Sequence, residues 1–129
     1  MTDPIADFII RIKNAFLAKR HEVLVPYSKM KHSLAEILVK EGYLDSVDLD
    51  ESGTFKQIVL KLKYVKDLPS VTDVKRLSKP GRRLYATASD IPRALGGYGI
   101  TIVSTSRGIM TDKSAKKQNV GGELICQIW

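Results

Sequence analysis

Ile100-Thr101-Ile102-Val103-Ser104-Thr105-Ser106-Arg107-Gly108-Ile109-Met110-Thr111-Asp112-Lys113 is the stretch on which the reading of this chain turns. β-branched residues dominate from Ile100 to Val103, which predicts a strand. The strand then opens into three hydroxyl side chains, an arginine and a glycine. Gly108 tolerates a positive φ and lets the backbone lie close to a partner. Thr111 is placed to cap a short helix that follows, and the start of that helix is able to attract phosphate. Ser104, Thr105 and Ser106 each carry one donor and two acceptor sites on a short stem. Such a loop is poor at acid–base chemistry and well suited to a surface of hydroxyls and phosphates, such as an RNA minor groove. The competing reading is an ordinary polar turn closed by a side-chain hydroxyl.

Charge favours the first reading. The chain has 129 residues and a net charge of +7, from 21 Lys+Arg against 14 Asp+Glu. That charge is uneven: residues 1–40 carry +3, residues 41–60 carry −4 and residues 61–129 carry +8. A basic C-terminal half is the footprint of a polyanion binder. Cys126 is the single cysteine, which excludes an intramolecular disulfide. No signal-peptide core follows Met1-Thr2-Asp3-Pro4, and no apolar run approaches the roughly 20 residues that span a bilayer. The expectation is a cytoplasmic protein with no membrane partner.

Periodicity supplies the elements. Asp3 caps a helix with Pro4 at its first position, and Ile5, Phe8, Ile9, Ile12 and Phe16 form one apolar stripe over 4–18. Glu22 to Val25 reads as a strand stopped by Pro26. Ser28 caps a second helix with the stripe Met30, Leu34, Ile37, Leu38, ended by Gly42. Tyr43 to Leu49 and Phe55 to Tyr64 form a hairpin around Asp50-Glu51-Ser52-Gly53. Lys66 to Ser70 reads as a linker. Beyond it, Val74–Leu77 and Leu84–Thr87 are short strands around the Lys79-Pro80-Gly81-Arg82 turn. One helical turn covers 89–94, and Gly96 to Gly99 is a flexible approach to the hydroxyl strand. Asp112–Gln118 is a short basic helix. A last strand runs from Glu123 to Trp129, with Leu124, Cys126 and Ile128 on one side.

The chemistry of a reaction centre is missing from these motifs. No Lys-Ser or Lys-Thr completes a phosphate loop. Gly97-Tyr98-Gly99 lacks the last glycine of a dinucleotide fingerprint and precedes a strand. Ser104-Thr105-Ser106-Arg107-Gly108 lacks the first glycine of a nucleophile elbow, and His21 and His32 lie far from it. His21, His32 and Cys126 do not form a metal-spaced set, and Cys126 reads as a small core residue. Asp45, Asp48, Asp50 and Glu51 lack calcium-loop spacing. Catalytic residues, metal, cofactor and small-molecule substrate are therefore all expected to be none. Basic clusters stand out instead. Arg82 and Arg83 precede Tyr85, so guanidinium and phenol groups share one ribbon. Lys113, Lys116 and Lys117 share a face of a short helix. Together with the hydroxyl loop they favour a single binding surface.

Four ordered motifs carry a family resemblance. Asp3-Pro4-Ile5-Ala6-Asp7 with Arg11-Ile12-Lys13-Asn14-Ala15, then Ser78-Lys79-Pro80-Gly81-Arg82-Arg83, then Gly99 to Asp112, then Val120-Gly121-Gly122-Glu123 resemble the bacterial ribosomal protein S-eight family from end to end. Ser114 departs from it, standing where an acidic residue is common. The resemblance implies a structural, non-enzymatic constituent of the small ribosomal subunit, without metal or cofactor. It implies primary binding to the central domain of small-subunit rRNA, help in assembly, contacts with neighbouring small-subunit proteins, and repression of its own operon through a similar mRNA structure. It also implies that the second unit carries most RNA contacts.

The reading is thus an α+β protein of two small packed units. Residues 1–66 form an α-β-α-β-β unit; residues 71–129 form a mostly antiparallel β unit with short helices. The expected RNA-binding residues are Arg82, Arg83, Tyr85, Ser104, Thr105, Ser106, Arg107, Gly108, Lys113, Lys116, Lys117, Gly121, Gly122 and Glu123. Lys and Arg supply salt-sensitive affinity; the hydroxyls, Tyr85 and nearby backbone supply fit to an RNA shape. Glu123 is the odd member, a carboxylate costly beside phosphate, and three options stay open for it: to accept from a base amine, to orient an arginine, or to do nothing. Two other classes stay open on residues alone: a nucleotide-binding or hydrolytic enzyme using the glycines and Ser106, and a protein-interaction module using the acidic hairpin tip.

Overall fold

The computed structural model of the chain describes residues 3–94 and 98–129. Gly96 and Gly97 of the expected flexible approach lie outside the described residues. Asp3 and Pro4 start helix α1 (Pro4–Leu17) as expected, the Asp3 carboxylate accepting from the Ala6 N–H at 3.2 Å. Ile5, Phe8, Ile9, Ile12 and Phe16 are all buried, each such apolar side chain contributing about 1.5–3 kcal/mol.

Residues 7–72 form one compact unit; residues 73–129, joined by the chain start through Ala6, form the other. The chain start groups with the second unit for a physical reason. The Asp3 carboxylate, besides capping α1, pairs with the Arg76 guanidinium at 3.0 Å. No sequence periodicity signals that pair.

In the first unit, β1 (Glu22–Pro26), α2 (Lys29–Lys40), β2 (Leu44–Asp50) and β3 (Gln57–Leu62) follow. Ser28 caps α2 by accepting from the Lys31 N–H. The sheet is antiparallel in the order β1-β3-β2. Val23, Leu60 and Val47 stand in one cross-strand row and Val25, Ile58 and Leu49 in another, on the same face. The expected linker is instead a tight hairpin. Tyr64–Val65 (β4) pairs with Leu68–Pro69 (β5), and Lys66 and Asp67 both take positive φ, at 54° and 65°. That geometry prefers Asn and Gly, so Lys-Asp gave no turn signal.

In the second unit, β6 (Val74–Arg76), β7 (Tyr85–Ala86), a 3-10 turn (Ala88–Asp90), β8 (Ile100–Thr105), β9 (Gly108–Thr111), α3 (Asp112–Gln118) and β10 (Gly122–Ile128) build an antiparallel sheet. Its order is β6-β10-β8-β9, with β7 also paired to β10. The helical turn expected over 89–94 is therefore a single 3-10 turn at its start. Ile91, Val103, Ala115 and Leu124 form the core under α3, with Leu77, Leu84, Ala86, Met110 and Val120 packed around them.

The last strand differs from its expected alternation. Leu124 pairs with Val103 but Cys126 pairs with Ile102, leaving Ile125 as the extra residue of a β-bulge. Leu124 therefore faces away from Cys126 and Ile128. The Ile125 carbonyl accepts from the Leu77 N–H and from the Arg76 guanidinium, so the bulge is held from outside the strand.

Candidate nucleic-acid interface

The opening stretch is a hairpin, not a loop. β8 continues through Ser104 and Thr105, and β9 begins at Gly108. Thr105 and Gly108 are cross-strand partners, so Ser106 and Arg107 alone form the connection. Gly108 takes φ 108°, which a side chain would strain. The Thr105 hydroxyl accepts from the Arg107 N–H at 3.0 Å and donates to the Gly108 carbonyl at 2.8 Å. Thr105 is thus committed to its own turn, whereas Ser106 and Arg107 project into solvent at the hairpin end.

Cross-strand register assembles the rest. Glu123 on β10 pairs with Tyr85 on β7 on one side and with Ser104 on β8 on the other. Tyr85, Glu123 and Ser104 therefore share one face of the sheet, opposite the Leu124–Val103–Met110 row that covers the core. Tyr85 is 71% exposed. The Arg83 guanidinium donates to the Glu123 carboxylate at 3.1 Å, the arginine-orienting option among those open for Glu123. The pair neutralises a carboxylate that would otherwise oppose a polyanion.

Gly122 lies where β10 meets β8. A Cβ there would collide with the Ser104 carbonyl, and one on Gly121 would collide with the Ala86 carbonyl. The glycines permit close backbone packing, and that packing sets the Glu123–Ser104 row. Beside them runs a shallow groove lined by Tyr85, Ala86, Thr87, Ala88, Asn119, Gly121 and Gly122. Thr87 and Asn119 were not singled out from sequence. Asn119 ends α3 in the left-handed conformation, φ 56°, which an Asn just before a strand can signal.

The basic clusters do not all converge. Lys79 and Arg82 close the Pro80-Gly81 turn through reciprocal backbone hydrogen bonds of 2.9 Å, and the Arg82 side chain is exposed. Lys113, Lys116 and Lys117 lie on α3, which packs through Ala115 on the core face of the sheet. They belong to the layer opposite the Tyr85–Glu123–Ser104 row. At the α3 start the Thr111 hydroxyl caps the Ser114 N–H, and the buried Asp112 carboxylate accepts from the Thr101 N–H at 3.3 Å. A carboxylate already occupies the favourable end of that short helix.

The Cys126 thiol is buried, and that burial pushes its pKa up to about 12 against the pull of Arg76. Among the described residues, no helix is long and apolar enough to cross a membrane.

Fold and site together define a basic α+β protein that offers a polar sheet face and a hairpin end to a partner. Comparison with known proteins makes this specific. The sequence pattern of the family described as Ribosomal protein S8 matches residues 3–129. The chain is 53% identical to Small ribosomal subunit protein uS8 of Lachnoclostridium phytofermentans, covering 100% of this chain and 98% of that protein. It is 54% identical to the protein of the same name from Dictyoglomus thermophilum, with the same coverage. The chain belongs to the ribosomal protein S8 family. Its role is accordingly structural and non-enzymatic, in the small subunit of the cytoplasmic ribosome. The hydrolytic alternative for Ser106 falls with that membership.

Proposed function

We propose that the protein binds the central domain of small-subunit rRNA during assembly, using the second unit's sheet face and the β8–β9 hairpin end. The observation that carries this reading is the Tyr85–Glu123–Ser104 row, flanked by Arg83. Tyr85 offers a ring for a base or ribose, Ser104 and Ser106 offer hydroxyls for 2′-hydroxyls and base edges, and Gly108, Gly121 and Gly122 offer backbone without side-chain bulk. Arg82, Arg83 and Arg107 supply phosphate attraction at this face, and Lys113, Lys116 and Lys117 supply it from the opposite layer, to RNA that continues around the unit. Thr105 serves by holding the hairpin in shape.

The test is affinity for a central-domain rRNA fragment across a salt series, with a DNA copy alongside. For about five to eight neutralised phosphates, log affinity should fall with log salt at a slope of roughly −4 to −7. The DNA copy should bind poorly, lacking 2′-hydroxyls and an A-form groove. Equal affinity for DNA, or a slope near zero, overturns the proposal. The same surface would accept a matching hairpin in the protein's own operon mRNA. Competition between that mRNA and the rRNA fragment for one site tests the extension.

A further inference from the structure

The first unit carries an unused sheet edge, and its chemistry differs from that of the second unit. β2 ends the β1-β3-β2 sheet and pairs with β3 alone; six of its seven residues are in register, and Asp45 is the extra residue of a bulge near its start. The opposite edge is closed in two ways. β1 ends in Pro26, and the Arg11 guanidinium reaches the Leu24 carbonyl at 3.3 Å. β2 has neither of these; its bulge lies at Asp45, and Ser46–Asp50 beyond it keeps a regular register.

Register sorts β2 into two rows. Val47 and Leu49 share the face of Leu60 and Ile58; Ser46 and Asp48 share the face of Lys61 and Val59. The apolar row runs out to the edge uncovered: Val25 and Ile58 are 2% and 0% exposed, but Leu49, next in that row, is 42% exposed. Phe55, just past the hairpin tip, is 82% exposed. Asp48, on the polar side, is exposed, and so is the bulged Asp45. Among the described residues, the ion pairs of this unit join other groups, such as Lys56 to Glu51 and Lys61 to Glu22. Residues 41–60 thus keep a charge of −4 inside a chain of +7.

We propose that the β2 edge docks an extended protein segment in which Lys or Arg alternates with apolar residues, adding a fourth strand to this sheet. An incoming strand takes its affinity from the free backbone edge and its specificity from alternate side chains. Apolar residues of the segment would extend the Val47–Leu49 row. Its cations would stand beside Asp48 and near Asp45, at cross-strand spacing of roughly 5 Å. Two other occupants are disfavoured by the same charges. RNA phosphate is repelled, and a second copy pairing edge to edge would set aspartates against each other. This inference goes beyond the RNA reading and stands without it.

The experiment uses the full chain, 15N-labelled. It is titrated with an acetylated, amidated peptide of alternating Lys and Val, as long as the seven residues of β2. A Glu/Val peptide and oligouridine are titrated in parallel. Amide shifts concentrated in residues 44–50, with slowed exchange of the outward N–H groups, are expected for the Lys/Val peptide alone. Asp45→Asn with Asp48→Asn should weaken that binding about three- to tenfold, as for two exposed ion pairs. Leu49→Ser should weaken it too. Both variants should keep the parent's affinity for the rRNA fragment, which reports that the second unit is intact, and their own spectra report the first. The proposal is overturned if the Lys/Val peptide leaves residues 44–50 unperturbed. It is equally overturned if the Glu/Val peptide or oligouridine perturbs them as strongly, if the Asn variant binds equally well, or if sedimentation shows a β2-dependent dimer.

Discussion

Three adjacent hydroxyls, Ser104, Thr105 and Ser106, meet three different fates, and separate substitutions should reveal it. Thr105 Oγ1 makes two hydrogen bonds within its turn, at 3.0 Å and 2.8 Å. Ser104 stands beside Glu123 in the polar row, and Ser106 is exposed at the hairpin end. Replacing Ser104 and Ser106 together by Ala removes two hydroxyls and no charge. At about 1 kcal/mol per net hydrogen bond, affinity for the rRNA fragment should fall by about 2 kcal/mol, or roughly 30-fold. The salt slope should stay the same, because no cation is lost. Thr105→Val keeps the β-branch and removes only the hydroxyl. It should cost about 1 kcal/mol of stability and change affinity by less than about threefold. Urea denaturation and filter binding on the same preparations give both numbers. A double-alanine variant that folds normally and binds within about threefold of the parent would refute the reasoning. So would a Thr105→Val variant that loses more affinity than the double alanine.

Neutralising Lys116 and Lys117 to Gln should make the salt slope shallower by about two, with equal loss for matched and mismatched RNA. Gly122→Ala should cost about 1–3 kcal/mol in urea denaturation, because its Cβ meets the Ser104 carbonyl and the strands must part; affinity should fall with it. Asp3→Asn should lower stability at neutral pH. Burial works to raise the Asp3 pKa, but the hydrogen bonds from Arg76 and Ala6 and the Arg76 charge outweigh it and hold it below its ordinary 3.8. The stabilisation is therefore complete above about that pH and lost as pH falls through the folded-state value. Parent and variant melting curves should converge in acid, and a gap that widens there would contradict the sign. Cys126 should react with a disulfide reagent only as fast as the protein opens, since its thiol is buried and its pKa lies at about 12.

Much of this was legible where a local rule decides. The Asp3-Pro4 start, the Ser28 and Thr111 caps and the five-residue apolar stripe of α1 each follow from neighbours a few positions away. What escaped depends on distant partners. The Ile125 bulge is held by Arg76 at the end of β6 and by Leu77 just beyond it. The Asp3–Arg76 pair spans 73 positions. The Lys66-Asp67 turn adopts a backbone that its residue types do not favour. At the candidate site, composition picked out the residue types, but only register could set Tyr85, Glu123 and Ser104 in one row and place the α3 lysines in the opposite layer. The role expected of Glu123 stayed undecided for the same reason: its arginine lies 40 positions away.

β10 is the central strand of its sheet, yet it follows every other strand of that sheet along the chain. During synthesis, β6 and β7 emerge with no partner to pair with, and β8 and β9 can form only a two-stranded ribbon, marginal in water. The Tyr85–Glu123–Ser104 row does not exist until Glu123 has left the ribosome that makes it. Translation thereby imposes an order of events: the face proposed for RNA is incomplete on a nascent chain until β10 has emerged to join β7 to β8.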